Sequence, residues 1–145
     1  MTAKQYLRQI RIIEGRIRRN TNRLRSLRAS SDGMRAITYD GIKVQSSPED
    51  SMSEKIGEIV DLENQTKAEI IKLEKKKSEI TGKIHTIGYE EGESVLFMRW
   101  VEGMNFCDIA EQMHYSLRQV HNIHGRALQM LGERLHKSAQ PDVIT

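Results

Sequence analysis

The sequence predicts an all-α protein: a long N-terminal antiparallel helical hairpin of coiled-coil character, followed by a C-terminal helix-turn-helix module. Three observations predict it. Apolar residues recur at alternating spacings of three and four along two long segments, the signature of a heptad seam. A stretch rich in Ser, Asp and Gly separates those segments. Beyond Gly88, two short helical patterns meet across a tight turn, and the second opens on a Ser-x-x-Gln box.

The first helix carries Ala3, Tyr6, Ile10, Ile13, Ile17, Asn20, Leu24 and Leu27 on one seam, polar only at Asn20. It is expected to end at the turn-forming run "RASSDG". Residues from about 31 to 51 then read as a loop, with room for a short strand pair around Asp40-Gly41. Ser51 or Ser53 is placed to cap the next helix. That helix carries Ile56, Ile59, Glu63, Thr66, Ile70, Leu73, Lys77, Ile80, Ile84 and Ile87, and stops near Gly88. Its polar seam members are costly in a tight core, so they call for partner helices or a wet patch. Neither helix can bury its stripe alone. Folding the second back on the first is the simplest solution, and an intermolecular coiled coil would use the same stripes. The hairpin is assigned to residues 1–87 and the helix-turn-helix to 88–145.

Composition agrees with elongated helices. Only 37% of the 145 residues are hydrophobic and 5% aromatic, which is lean for a compact globule but enough for helices that each bury one stripe. The net charge of +3 decides little, whereas its distribution is uneven. The first helix holds Lys4, Arg8, Arg11, Arg16, Arg18, Arg19, Arg23, Arg25 and Arg28 against Glu14 alone, and the second is mixed. Flanking charges of this kind ordinarily set the register of a coiled coil; a phosphate-tracking surface is the sharper reading. With Cys107 as the single cysteine, no intrachain disulfide can form, which suits a reducing cytosol. The stretch "MTAKQYLRQIRIIEGRIRR" lacks the apolar run of a signal peptide, and nothing approaches the ~20 apolar residues needed to span a bilayer. A cytoplasmic protein without a membrane partner is expected.

In the C-terminal part, Val95, Leu96, Met98, Trp100 and Val101 form a short apolar helix that Gly103 ends. Asn105 caps a second helix of about Phe106 to Gln112. Ser116 opens the last, with Gln119 completing the box. Ala110 is the small residue where two corner helices cross, and Ile109, Met113, Tyr115, Val120 and Ile123 close the core, continued by Leu128 and Leu131. His114 stands in the turn where Gly is usual, because the chain there needs positive φ. The opposite face of the last helix presents Leu117, Arg118, Gln119, Asn122 and Arg126, groups that read base edges or grip phosphates. The stretch therefore fits a DNA-binding corner better than a generic one.

"VLFMRWVEGMNFCDIAEQMHYSLRQVHNIHGRALQML" resembles the fourth region of bacterial RNA polymerase sigma factors: an apolar helix, a Gly, an Ile-Ala helix and a Ser-capped recognition helix. Over nearly its full length, through "YDGIKVQSSPEDSMSEKIGEIVDLE" and "VHNIHGRAL", the chain is similar to small phage and prophage proteins of Gram-positive bacteria described as sigma-like or late-gene regulators. The resemblance implies a transcriptional regulator acting in the host nucleoid, with double-stranded DNA as partner. It also implies a polymerase contact. Under sigma-like geometry, Arg118, Gln119 and Asn122 face bases, Arg126 faces phosphate, and His121 adds a contact at the edge. Poor binding by a single recognition helix favours a homo-oligomer.

Other residues fit no further chemistry. His121, His124 and Cys107 do not make up a converging metal-ligand set, and no cofactor motif appears. No catalytic constellation is legible, so an enzyme is not expected. Two other readings compete with the DNA reader. One is a coiled-coil adaptor that binds a partner protein, and the other is non-specific nucleic-acid binding through the arginines of the first helix.

Overall fold

The computed structural model describes the backbone of residues 1–38 and 48–139, and the side chains of residues 1–30 and 51–138. Every described element is helical: α1 (Ala3–Thr38), α2 (Pro48–His85), α3 (Glu90–Leu96), a π-helical turn (Phe97–Val101), α4 (Phe106–Met113) and α5 (Leu117–Ala139). Among the described residues no helix is long and apolar enough to cross a membrane.

Both long helices overrun their expected ends. α1 begins on a reciprocal box: Thr2 N–H donates to Gln5 Oε1 (2.9 Å) and Gln5 N–H to Thr2 Oγ1 (3.2 Å). It then continues through "RASSDG" to Thr38. Ser, Asp and a single Gly lower helix propensity, but no proline there removes an N–H or collides with the preceding turn. α2 starts at Pro48, ahead of Ser51 and Ser53. The fixed φ and missing N–H of proline suit a first helical position. The expected loop thus shrinks to residues 39–47, and the strand pair expected around Asp40-Gly41 lies outside the described residues.

The chain divides into two compact units, Ile13–Leu73 and Met1–Ile12 with Glu74–Thr145. They do not follow a boundary at residue 87. In the unit Ile13–Leu73, α1 and α2 run antiparallel, as Arg16–Glu69, Arg28–Glu63 and Lys55–Ser30 pair rising with falling numbers. Ile13 and Leu24 of α1 are buried, as are Thr66 and Leu73 of α2. Thr66 is tolerated there because its hydroxyl donates to Leu62 O (2.7 Å), and Glu63 is tolerated because Arg28 pairs with it. Ile56 and Ile70, expected on the seam, are instead 49% and 45% exposed. A helix of 3.6 residues per turn drifts from a 3.5-residue repeat, so a straight α2 rotates these positions out of contact.

The other unit has the larger core. Ala3, Tyr6, Leu7 and Ile10 of α1 are buried, as are Ile80, Ile84 and Ile87 near the end of α2. Val95, Ile109, Ala110 and Val120 form the centre of the corner, packed around by Met98, Met104, Phe106, Met113, Tyr115 and Ile123. Ala127 and Leu131 extend the buried face of α5. Ala110 and its expected neighbours thus close the core as the sequence predicts.

A candidate nucleic-acid interface on the last helix

The corner is fixed by its caps. Asn105 Oδ1 accepts from Asp108 N–H (2.8 Å) and starts α4. α4 ends at His114, whose φ of 59° and ψ of 38° are left-handed. Tyr115 N–H then bonds Ala110 O (3.0 Å) and His114 N–H bonds Glu111 O (3.3 Å), a Schellman closure made without glycine. Ser116 N–H donates to Gln119 Oε1 (2.9 Å) while Gln119 N–H donates to Ser116 Oγ (3.2 Å), so the predicted capping box opens α5.

The apolar helix before the corner departs from a simple α-helix. Glu102 N–H reaches back five residues to Phe97 O (3.0 Å), which makes the turn Phe97–Val101 π-helical. Gly103 takes a φ of +76° and lets the chain leave that turn. Met104 N–H closes onto Met98 O (2.9 Å). Trp100 is thereby brought against α5: its indole N–H donates to His124 Nε2 (3.1 Å), with the two rings nearly coplanar at an interplanar angle of 17°.

All six candidate residues, Leu117, Arg118, Gln119, His121, Asn122 and Arg126, are exposed on α5. Helical geometry sorts them into three rows. Arg118 and Asn122 lie on the middle row, opposite buried Val120, Ala127 and Leu131. Gly125 and exposed Gln129 continue that row. A Cβ at Gly125 would meet nothing within 4 Å, so the surface there is low and open. Gln129 was not among the expected residues; its signal was the seven-residue step from Asn122 along one helical face. Leu117 and His121 form one edge, where His121 packs on Phe106 at 4.5 Å between centroids. Gln119 and Arg126 form the other, and the Arg126 guanidinium lies over the Tyr89 ring at 5.2 Å. Since Gln119 holds its amide oxygen on the Ser116 N–H, its NH2 group is the end directed by nothing but solvent.

His124, adjacent to this face in sequence, is buried and structural. Its pKa is lowered to about 4, first by burial and then by the charges of Lys4, Arg99 and His121. The neutral ring is the form that can accept the indole proton. Around it stand cations from two parts of the chain. The Arg11 guanidinium lies 4.6 Å from the Trp100 ring centroid, and that of Arg99 lies 5.9 Å from Trp100 and 4.6 Å from Phe106. Arg11 belongs to the first helix and Arg99 to the π-helical turn, 88 residues on, so the sequence does not show that they share the Trp100 ring. Among the described residues, no group of three or more His, Cys, Asp and Glu side chains converges in a way that would hold a metal.

Comparison with curated proteins and with solved structures gives no match. The segment from the start of α3 into α5, residues 90–133, matches the family model Sigma-70, region 4.

Proposed function

We propose that the chain is a DNA-binding transcriptional regulator of phage or prophage genes. α5 enters the major groove, and the α1–α2 hairpin serves self-association or contact with RNA polymerase. The observation that carries this reading is the capped, solvent-facing row Arg118–Asn122 on a helix-turn-helix of the sigma type. Arg suits guanine and Asn suits adenine in the groove, whereas Arg126 at the flank suits a phosphate. Selection of bound duplexes from a random library, followed by titration of variants, tests it. Arg118→Ala and Asn122→Ala should each lose about 1–3 kcal/mol at one base pair and relax preference there. Arg126→Ala should weaken all sequences alike. Sequence preference unchanged in both Arg118→Ala and Asn122→Ala removes α5 as the reader.

Support for a protein partner on the hairpin comes from the unit Ile13–Leu73. Ile56, Val60, Ile70 and Ile71 of α2 are 45–59% exposed, apolar side chains that a partner helix would cover. The adaptor reading rests on the same residues. Light scattering of the full chain separates self-association from a monomer that awaits another protein.

A further inference from the structure

Three cationic side chains gather around Trp100 and His124 in the unit that carries the corner: Arg11 and Arg99 on the indole, Lys4 and Arg99 close enough to act on the imidazole. Lys4 and Arg11 are exposed and lie seven residues apart on α1, which puts them on one face about 10 Å apart along the axis. Arg11 sits on Trp100, and Arg99 sits on both Trp100 and Phe106. Ala3, next to Lys4, is buried; a Cβ on Gly132 of α5 would touch its methyl at 4.0 Å. Among the described residues, no salt bridge is seen for Lys4, Arg11 or Arg99, whereas Arg16, Arg28 and Lys76 each hold a carboxylate. Arg99 spends one nitrogen on Met104 O (3.1 Å) and keeps a buried Nε without a partner.

Like charges held together without a counter-charge cost stability in the free protein. Burial and the nearby Arg11 both work against the charge on Arg99. An anion would offset that cost. Two properties of the cluster say which kind. It is built on an aromatic wall, Trp100 and Phe106, and Phe106 in turn touches His121 at the edge of the candidate reading face. A ligand that lies along α5 and past His121 reaches the cluster next. The duplex itself has that shape, with a phosphate for every base.

We infer that Lys4 and Arg11, backed by Arg99, form an accessory phosphate-binding surface that grips the DNA backbone flanking the bases read by α5. The inference rests on the DNA-binding reading above. It adds a contact supplied by the first helix, outside the segment 90–133. It also gives part of the basic first helix a defined role next to the corner.

The test is the salt dependence of binding by the full chain, measured on a duplex selected by the protein and on one of random sequence. Lys4→Gln and Arg11→Gln should each lower the slope of log K against log salt by about 0.9 and weaken both duplexes by the same factor. Arg11→Lys should restore most of the slope, and circular dichroism should show all variants folded. An unchanged slope in folded Lys4→Gln and Arg11→Gln, with base preference still lost in Arg118→Ala, overturns this surface while sparing the reader on α5. Loss of binding to an acidic protein partner, with the DNA slope intact, overturns it as well and assigns the cations to that partner. If Arg118→Ala also leaves base preference intact, the function proposed for α5 is what fails.

Discussion

His124 shows how one side chain can be set by its neighbours. An exposed histidine titrates near 6.5, but this one is held at about 4 by burial and by the cations around it. The folded state therefore resists the proton more than the unfolded chain does. Stability is present in full above about 6.5, declines as pH falls toward about 4, and is flat below that. Urea unfolding between these limits should show the decline, and His124→Gln, which keeps an acceptor for the Trp100 indole but cannot titrate, should flatten it. Equal slopes in the two proteins would mean that other groups carry the acid sensitivity. At this scale the caps were the most legible feature. Asn105 and the Ser116–Gln119 box act through residues three apart in sequence, and both form as expected. The partner of His124 was not legible, because Trp100 is 24 residues away and reaches it only through a π-helical turn.

Helices were legible in kind and less so in extent. The heptad seam of α1 survives as buried Ala3, Tyr6, Ile10, Ile13 and Leu24. Leu7, off that seam, is fully buried all the same. Its burial beside Tyr6 widens the stripe of α1 beyond one heptad seam near the start of the helix. The close approach of α3 and α5 was equally hidden. A Cβ on Gly92 would stand 2.8 Å from the Ala127 Cβ and press into the Tyr89 ring. Gly92→Ala should therefore cost about 1–3 kcal/mol through overpacking, although alanine is the better helix former. Thermal unfolding decides this: a raised melting temperature would mean that the ring and α5 yield freely. Where Tyr89 shifts, Arg126 above it shifts too, so the same variant should weaken DNA binding without changing base preference.

At the level of the whole chain, the largest departure from expectation is the allegiance of the first twelve residues. Met1–Ile12 clusters with Glu74–Thr145, including the helix-turn-helix. Sequence periodicity could not show this, since it marks which residues are buried and not against which helix. Tyr6 illustrates the consequence: its hydroxyl donates to Glu79 (3.4 Å), and burial followed by the Glu79 charge raises its pKa to about 12. A segment of residues 88–145 alone lacks Leu7 and Ile10, both fully buried, and burial of each is worth about 1.5–3 kcal/mol. Deleting residues 1–12 should thus lower stability by several kcal/mol and weaken binding to any duplex. A deletion variant that melts like the full chain would sever the first helix from the corner.

Trp100 is the chain's single tryptophan, and it lies between the Arg11 guanidinium and the His124 ring. A fluorimeter exciting beyond the tyrosine absorption band therefore sees one emitter, seated where the first helix, the π-helical turn and the last helix converge. Any event that moves Arg11 or charges His124 is written into the colour and brightness of that emission, with no dye attached.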